Sequence, residues 1–312
     1  MKICVFGLGS IGQRHTRLLR QLGGHELWAF RSFKGQEPTD WSGPMFQSWD
    51  EFRQNLPEAA LIANPTFLHV STAQECVNVG VPVFLEKPLG SSLDGLDVLE
   101  QTIQTKKVLS YVGYVLRFHP AIVFLKEYLK DKKILQVSVN ASSYLPDWRP
   151  NQDHLQSYSA FKDKGGGVVL ELSHEFDYIE YLFGKIAQIH GSLKRLSEVT
   201  VDAEDCCDAV VVTEKTRVNV HLDFMSFSPE RKIRIDLPDQ SLVADLMAAR
   251  IDFFQRGHKE SRVFPFERDD MFVEQLKYFL SHVTERKTMM NNISEAAQLF
   301  RQLIHFKEGQ SL

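Results

Sequence analysis

Gly7-Leu8-Gly9-Ser10-Ile11-Gly12 stands between a short apolar run (residues 2–7) and a helical pattern (residues 10–22) in which Ile11, His15, Leu18 and Leu22 share a face. Few features constrain a fold more. In a strand–turn–helix, the first glycine of G-x-G-x-x-G permits a tight turn. The second lets backbone approach a pyrophosphate, the third lets the helix pack closely, and the helix N-terminus faces the anion. Gly7, Gly9, Ser10, Ile11 and Gly12 are therefore expected to bind a dinucleotide. His15, on the apolar stripe, reads as a packed helix residue.

The rest of the first third repeats the unit. Short apolar runs at 26–30, 60–63, 81–85 and 108–112 alternate with helical patterns at 68–79 and 93–106. That order predicts an α/β domain, a parallel sheet wound with helices on both faces. The pattern changes after a helix at about 121–130. Long β-rich runs at 134–144, 187–199, 208–226 and 231–237 follow, and Val218, Val220, Leu222 and Phe224 alternate with Asn219, His221 and Asp223. Such alternation predicts a large, mostly antiparallel open sheet with one solvated face. A helix at about 167–183 interrupts it, and two more, at about 270–286 and 294–307, follow it. At 312 residues two domains are expected.

Composition excludes other classes. Thirty-six Lys and Arg against 40 Asp and Glu give a net charge of −4 and no basic stripe, so nucleic acid is not an expected partner. No window is apolar enough to span a bilayer, and residues 1–6 are too short for a signal-peptide core, so a cytoplasmic protein without membrane association is expected. Cys4, Cys76, Cys206 and Cys207 lack metal-ligand spacing, and reduced thiols with no metal are expected.

Nineteen residues after Gly12, where an acidic side chain would hold the ribose diol of NAD, stand Arg31 and Ser32. A guanidinium beside a hydroxyl suits a 2′-phosphate, so NADP is favoured, with NAD possible.

At Val83-Phe84-Leu85-Glu86-Lys87-Pro88-Leu89 the chain resembles the glucose-fructose oxidoreductase, inositol dehydrogenase and MocA (Gfo/Idh/MocA) family. Asn64-Pro65-Thr66 with His69 resembles that family's cofactor loop. Residues 113–120, with Arg117, resemble its interdomain crossing, and Gly165-Gly166-Gly167 leading to His174 its second-domain active-site helix. The resemblance implies a Rossmann domain at 1–118 and a substrate-binding α+β domain at 119–312. It also implies a homodimer or homotetramer formed through the second sheet, and NAD(P)-dependent oxidoreduction of a sugar or polyol. Asn64, Pro65, Thr66, His69, Glu86, Lys87 and Arg117 join the expected cofactor contacts.

Oxidising a secondary alcohol needs a base for the hydroxyl proton, and the reverse reaction needs an acid. Lys87 and His174 are the candidates, with His174 favoured as the base and Glu171, three residues earlier, expected to orient it. Asp177 and Tyr178 fall near the same helical face. Trp148, Arg149 and Tyr158 offer ring faces and a cation to a sugar and its phosphate or carboxylate. Two other readings share these residues: a redox-neutral sugar enzyme that retains its cofactor, and a non-catalytic dinucleotide sensor.

Overall fold

The computed structural model describes residues 1–30, 41–148 and 153–309. Within these, two sheets organise the chain. The first is parallel throughout: β1 (Lys2–Phe6), β2 (Glu26–Phe30), β3 (Met45–Phe46), β4 (Ala59–Ile62), β5 (Val83–Glu86) and β6 (Ser110–Gly113), in the order β3-β2-β1-β4-β5-β6. Helices α1 (Ser10–Leu22), α2 (Trp49–Gln54), α3 (His69–Asn78) and α4 (Leu96–Lys106) connect the strands. Strands β4, β5 and β6 are buried at every position, as the continuous apolar runs require of a sheet covered on both faces. Strand order reverses at β1, which pairs with β2 on one side and β4 on the other. The glycine turn leaves the carboxyl end of that strand, where open α/β sheets bind their ligands.

The second sheet has eight strands: β7 (Gln136–Tyr144), β8 (Ile186–Lys194), β9 (Cys206–Thr213), β10 (Arg217–Asp223), β11 (Met225–Asp236), β12 (Ser241–Asp245), β13 (Arg250–Gln255) and β14 (His258–Val263). Their order is β14-β13-β12-β11-β7-β10-β9-β8, antiparallel except at β7–β10. Helices α5 (Pro120–Tyr128), α6 (Val168–Glu171) and α7 (Ser173–Phe183) belong to this part of the chain, and α8 (Arg268–Glu285) and α9 (Ile293–Glu308) close it.

Several elements differ from the expectation. The run at 208–226 is two strands joined by a turn, and β11 begins at Met225, ahead of the expected 231. The short pair β3 and α2 and the strands β12–β14 were not expected at all. In β14, HKESRV, every residue is exposed, so no apolar alternation betrays an edge strand. The helix expected across 167–183 is two helices, because Leu172 leaves helical geometry at φ −97°, ψ 27°.

The chain forms two compact units, Met1–Tyr114 with Phe272–Phe300, and Val115–Met271 with Arg301–Leu312. Residues 272–300 thus join the first unit, although the sequence division assigns them to the second domain. Hydrogen bonds to β6 explain why: Asn291 Nδ2 donates to Val112 O at 2.8 Å, the Ile293 amide to Ser110 Oγ at 3.1 Å, and Gln275 Nε2 to Tyr111 Oη at 3.0 Å. The four cysteines are buried free thiols. No helix among the described residues is long and apolar enough to cross a membrane.

Candidate active site

In the first unit the glycines divide the work as their spacing implies. Gly7 has φ +87°, and a Cβ there would lie 2.5 Å from Asn64 Cα. At Gly12 a Cβ would meet Gly7 O at 2.0 Å, so only glycine lets the helix come this close. Around Gly9 nothing stands within 4 Å of that position, which leaves backbone open to a ligand. Gly9 also caps α1 without a side-chain hydrogen bond, whereas Ser48 and His119 cap α2 and α5. The first amides of α1 thus face outward as donors for an anion. These residues fit a dinucleotide pyrophosphate. Beside them a cavity of about 460 Å³ is lined by Leu8, Ser10, Gln13, Trp41 and three arginines, Arg14, Arg17 and Arg20. Arg31 and Ser32 lie outside the described residues.

The cofactor loop is tied together by buried polar side chains. Asn64 Nδ2 donates to Thr72 Oγ1 at 2.8 Å. Thr66 begins a single 3₁₀ turn after Pro65 and is buried. The ring nitrogens of His69 face Pro88 O at 2.8 Å and Asn64 O at 2.9 Å. A neutral imidazole donates to one of these carbonyls at a time. Burial pulls the His69 pKa below its ordinary value, although both carbonyls oppose that shift.

At the tip of β5, Glu86 is held from beneath. His15 Nε2 lies 2.6 Å from Glu86 Oε1, and the His15 ring packs edge-on against Phe84 and Phe272. Glu86 Oε2 accepts from the Lys87 amide at 3.2 Å. Across residues 83–90 every residue is buried except Lys87.

The second unit repeats that pattern around a histidine. Across residues 165–179 every residue is buried except His174. The glycine triplet before it is crowded: a Cβ at Gly166 would lie 2.5 Å from Ser159 O, and one at Gly167 would lie 2.4 Å from the Glu204 carboxylate. Lys307, near the end of α9, donates to Gly166 O at 2.8 Å and pairs with Glu204 Oε1 at 2.9 Å, both side chains buried. Glu171 ends α6 and accepts from Ser159 Oγ at 2.7 Å, so it and His174 lie on different helices.

Asp177 is engaged by Arg117 through both carboxylate oxygens, Nε to Oδ2 at 2.9 Å and NH2 to Oδ1 at 2.8 Å. Burial raises the Asp177 pKa and the guanidinium opposes it. The Arg117 guanidinium also lies 5.0 Å from the Tyr181 ring centre. Tyr178 is fully buried, and burial followed by Glu175 pushes its phenol well above the ordinary value. Glu175 pairs with Arg231 at 2.8 Å. Trp148 is 40% exposed, donates to Ser143 Oγ at 3.0 Å and stands edge-on to Phe224. Tyr158 is half-buried in its own 3₁₀ turn. Arg149 lies outside the described residues.

Sequence reasoning did not find the supports: His15 under Glu86, Lys307 with Glu204 behind the glycine triplet, and Arg231 against Glu175. His15 alone gave a signal, since a polar ring on an apolar stripe needs a buried partner.

Residues 1–114 match the family described as an oxidoreductase family with an NAD-binding Rossmann fold, and residues 122–242 match the Gfo/Idh/MocA C-terminal domain. The chain belongs to the Gfo/Idh/MocA oxidoreductase family. Among curated relatives, 2,7-anhydro-N-acetylneuraminate hydratase of Mediterraneibacter gnavus is 27% identical over 152 residues, 47% of this chain and 40% of that protein. The chain thus spans about two fifths of that relative's length. UDP-N-acetylglucosamine 3-dehydrogenase of Acidithiobacillus ferrooxidans is 23% identical over 277 residues, 86% of this chain and 82% of that one. The solved structure of the latter superposes with a TM-score of 0.81 at 16% identity, covering 99% of this chain and 97% of that one. Levoglucosan dehydrogenase in complex with NADH gives 0.84 at 14% identity, covering 100% and 98%. At such identities these two structures establish the Gfo/Idh/MocA fold.

Proposed function

We propose that the chain is an NAD(P)-dependent dehydrogenase or reductase that moves a hydride between nicotinamide and a hydroxyl or keto group of a sugar or polyol. A nucleotide or amino sugar of surface-polysaccharide biosynthesis is the substrate class the reading favours. One observation carries it: Lys87 and His174 are each the single accessible residue in an otherwise buried stretch, one on the strand tip after Glu86 and one on the helix after the glycine triplet. Groups presented in this way can meet a substrate while the backbone behind them stays fixed. The likeness to a UDP-N-acetylglucosamine dehydrogenase over most of both chains supports the nucleotide sugar.

Nicotinamide, when bound, supplies the hydride acceptor or donor. The chain's own residues handle the proton. In the oxidative direction His174 takes the hydroxyl proton as the alcohol becomes a carbonyl, and in reduction it returns it. The Lys87 ammonium is suited to stabilise negative charge developing on a carbonyl oxygen. Glu171 keeps the imidazole oriented. Trp148 and Tyr158, both accessible, are available to a sugar, Asp177 and Tyr178 are buried and support the helix that carries His174, Arg149 meets a phosphate or carboxylate, and Arg117 is a candidate cofactor contact. Arg31 and Ser32 hold the 2′-phosphate of NADP, a preference that the cationic cavity along α1 supports.

Screening nucleotide sugars, free sugars and polyols with NADP and NAD tests this reading. Steady cofactor reduction on at least one sugar is expected, and binding without turnover on every substrate contradicts it. The likeness to a hydratase favours one second reading, a redox-neutral reaction with retained cofactor, in which product forms without net cofactor turnover. The Arg31→Asp variant is expected to shift the ratio of kcat/KM for NADP over NAD by about tenfold or more towards NAD, from loss of a charge-assisted contact. An unchanged ratio removes Arg31 from the phosphate site.

A further inference from the structure

On the open face of the second sheet two neighbouring strands place four metal-competent side chains side by side. Cys206 and Asp208 alternate along β9, and His221 and Asp223 along β10. The antiparallel register sets Asp208 directly opposite His221 and Cys206 directly opposite Asp223. Side chains two apart on a strand share a face, so the four form a square. His221 Nδ1 lies 2.7 Å from Asp208 Oδ1, and Cys206 Sγ lies 3.8 Å from Asp208 Oδ2. One donor atom from each of Cys206, Asp208 and His221 falls within 4.8 Å of the others.

The fourth residue completes a support rather than another ligand. Asp223 Oδ2 stands 3.3 Å from His221 Nε2, and the carboxylate is itself fixed by the amides of Met225 and Ser226, each at 2.8 Å. A carboxylate holding the remote ring N–H of a histidine is the usual arrangement behind a metal-binding imidazole, because it fixes the tautomer and aims the other nitrogen. Here the nitrogen so aimed is Nδ1, the one facing Asp208.

We propose that Cys206, Asp208 and His221 bind a divalent transition-metal ion of the zinc class, with Asp223 orienting the imidazole. A thiolate, an imidazole and a carboxylate select zinc, cobalt or nickel over magnesium or calcium. Tetrahedral zinc separates its donors by about 3.3–3.8 Å, so the three groups need only small rotations to close around an ion. In the single chain Asp208 is 65% exposed, which leaves the outer side of the ion open to a fourth ligand. The sequence concealed this site because its ligands are not local: Cys206 and Asp208 meet His221 only through the β9–β10 register.

The test is a titration of the untagged full-length protein with Co²⁺, followed by competition with Zn²⁺ and with Mg²⁺. One equivalent of cobalt with a thiolate-to-metal charge-transfer band is expected, displaced by zinc and not by magnesium. Cys206→Ser should abolish the band, and Asp208→Asn, at an exposed position that folding tolerates, should weaken binding by about tenfold or more. Asp223→Asn should weaken it by about 10–100-fold, the usual range for such supports. Absence of the band, its survival in Cys206→Ser, or an unchanged affinity in both Asp208→Asn and Asp223→Asn overturns the assignment.

Discussion

His119 is held neutral from two sides. Its Nδ1 accepts the Ala121 amide at 3.2 Å as the cap of α5, so the proton sits on Nε2, which donates to Leu246 O at 3.0 Å. Protonating Nδ1 would remove the cap, and the ring is buried. Burial first, and the Arg231 charge, lower the pKa to about 4 from 6.5 against the opposing pull of Leu246. The unfolded chain therefore binds the proton between about pH 6.5 and pH 4 while the folded chain does not. The resulting stability is complete above pH 6.5 and is lost as pH falls towards 4, at most about 3 kcal/mol for this group. Denaturant unfolding at pH 7.5 and pH 5 should show His119→Ala losing part of the pH dependence of the parent; an identical slope in both contradicts the assignment. Residues of this kind were half legible. His119 stood in the expected domain crossing, but its acceptor Leu246 is 127 residues away, and the His15–Glu86 pair spans 71. Partners at such separations leave no local pattern.

Helix α1 and the turn before it make the strongest element-level prediction. With Gly7 O only 2.0 Å from where a Cβ would sit, Gly12→Ala forces turn and helix apart, and the open approach at Gly9 is lost with them. Dinucleotide affinity, read by fluorescence titration or calorimetry, should fall by about tenfold or more, as a displaced set of backbone donors implies. Unchanged affinity shows that the pyrophosphate lies elsewhere. Helix α9 supports the second unit through Lys307. Removing the ammonium in Lys307→Met leaves the Glu204 carboxylate buried without its cation, which costs about 3–5 kcal/mol. Glu204→Gln in the same background should recover much of that loss in urea unfolding, and no recovery argues against the pair. Elements with a strong period were readable: α1 and β2 begin and end where the glycines and apolar runs place them, and β1 stops one residue before the expected end at 7. The break at Leu172 was not, because residues 168–179 keep an apolar pattern compatible with one helix. Nor was β14, whose exposed edge carries no buried face to mark it.

For the whole molecule, the sequence pointed to a parallel sheet followed by an open, mostly antiparallel one, and the chain has both. The assignment of residues 272–300 to the first unit was hidden, since an amphipathic helix does not announce which sheet it covers. Large apolar side chains remain exposed on the second sheet, among them Phe227 at 80% and Val263 at 61%. Together with the proposed assembly through that sheet, they lead us to expect a solution mass of at least twice the 35.8 kDa chain by sedimentation, and a single-chain mass contradicts it. The proposed activity rests on two accessible side chains set in buried surroundings. The most direct measurement is kcat with the best sugar substrate for the parent, Lys87→Ala and His174→Ala, with cofactor affinity measured in parallel. The account predicts cofactor affinity within about threefold of the parent for His174→Ala and a fall in kcat of about 10²-fold or more in each variant. Parent-like kcat in both variants would contradict it.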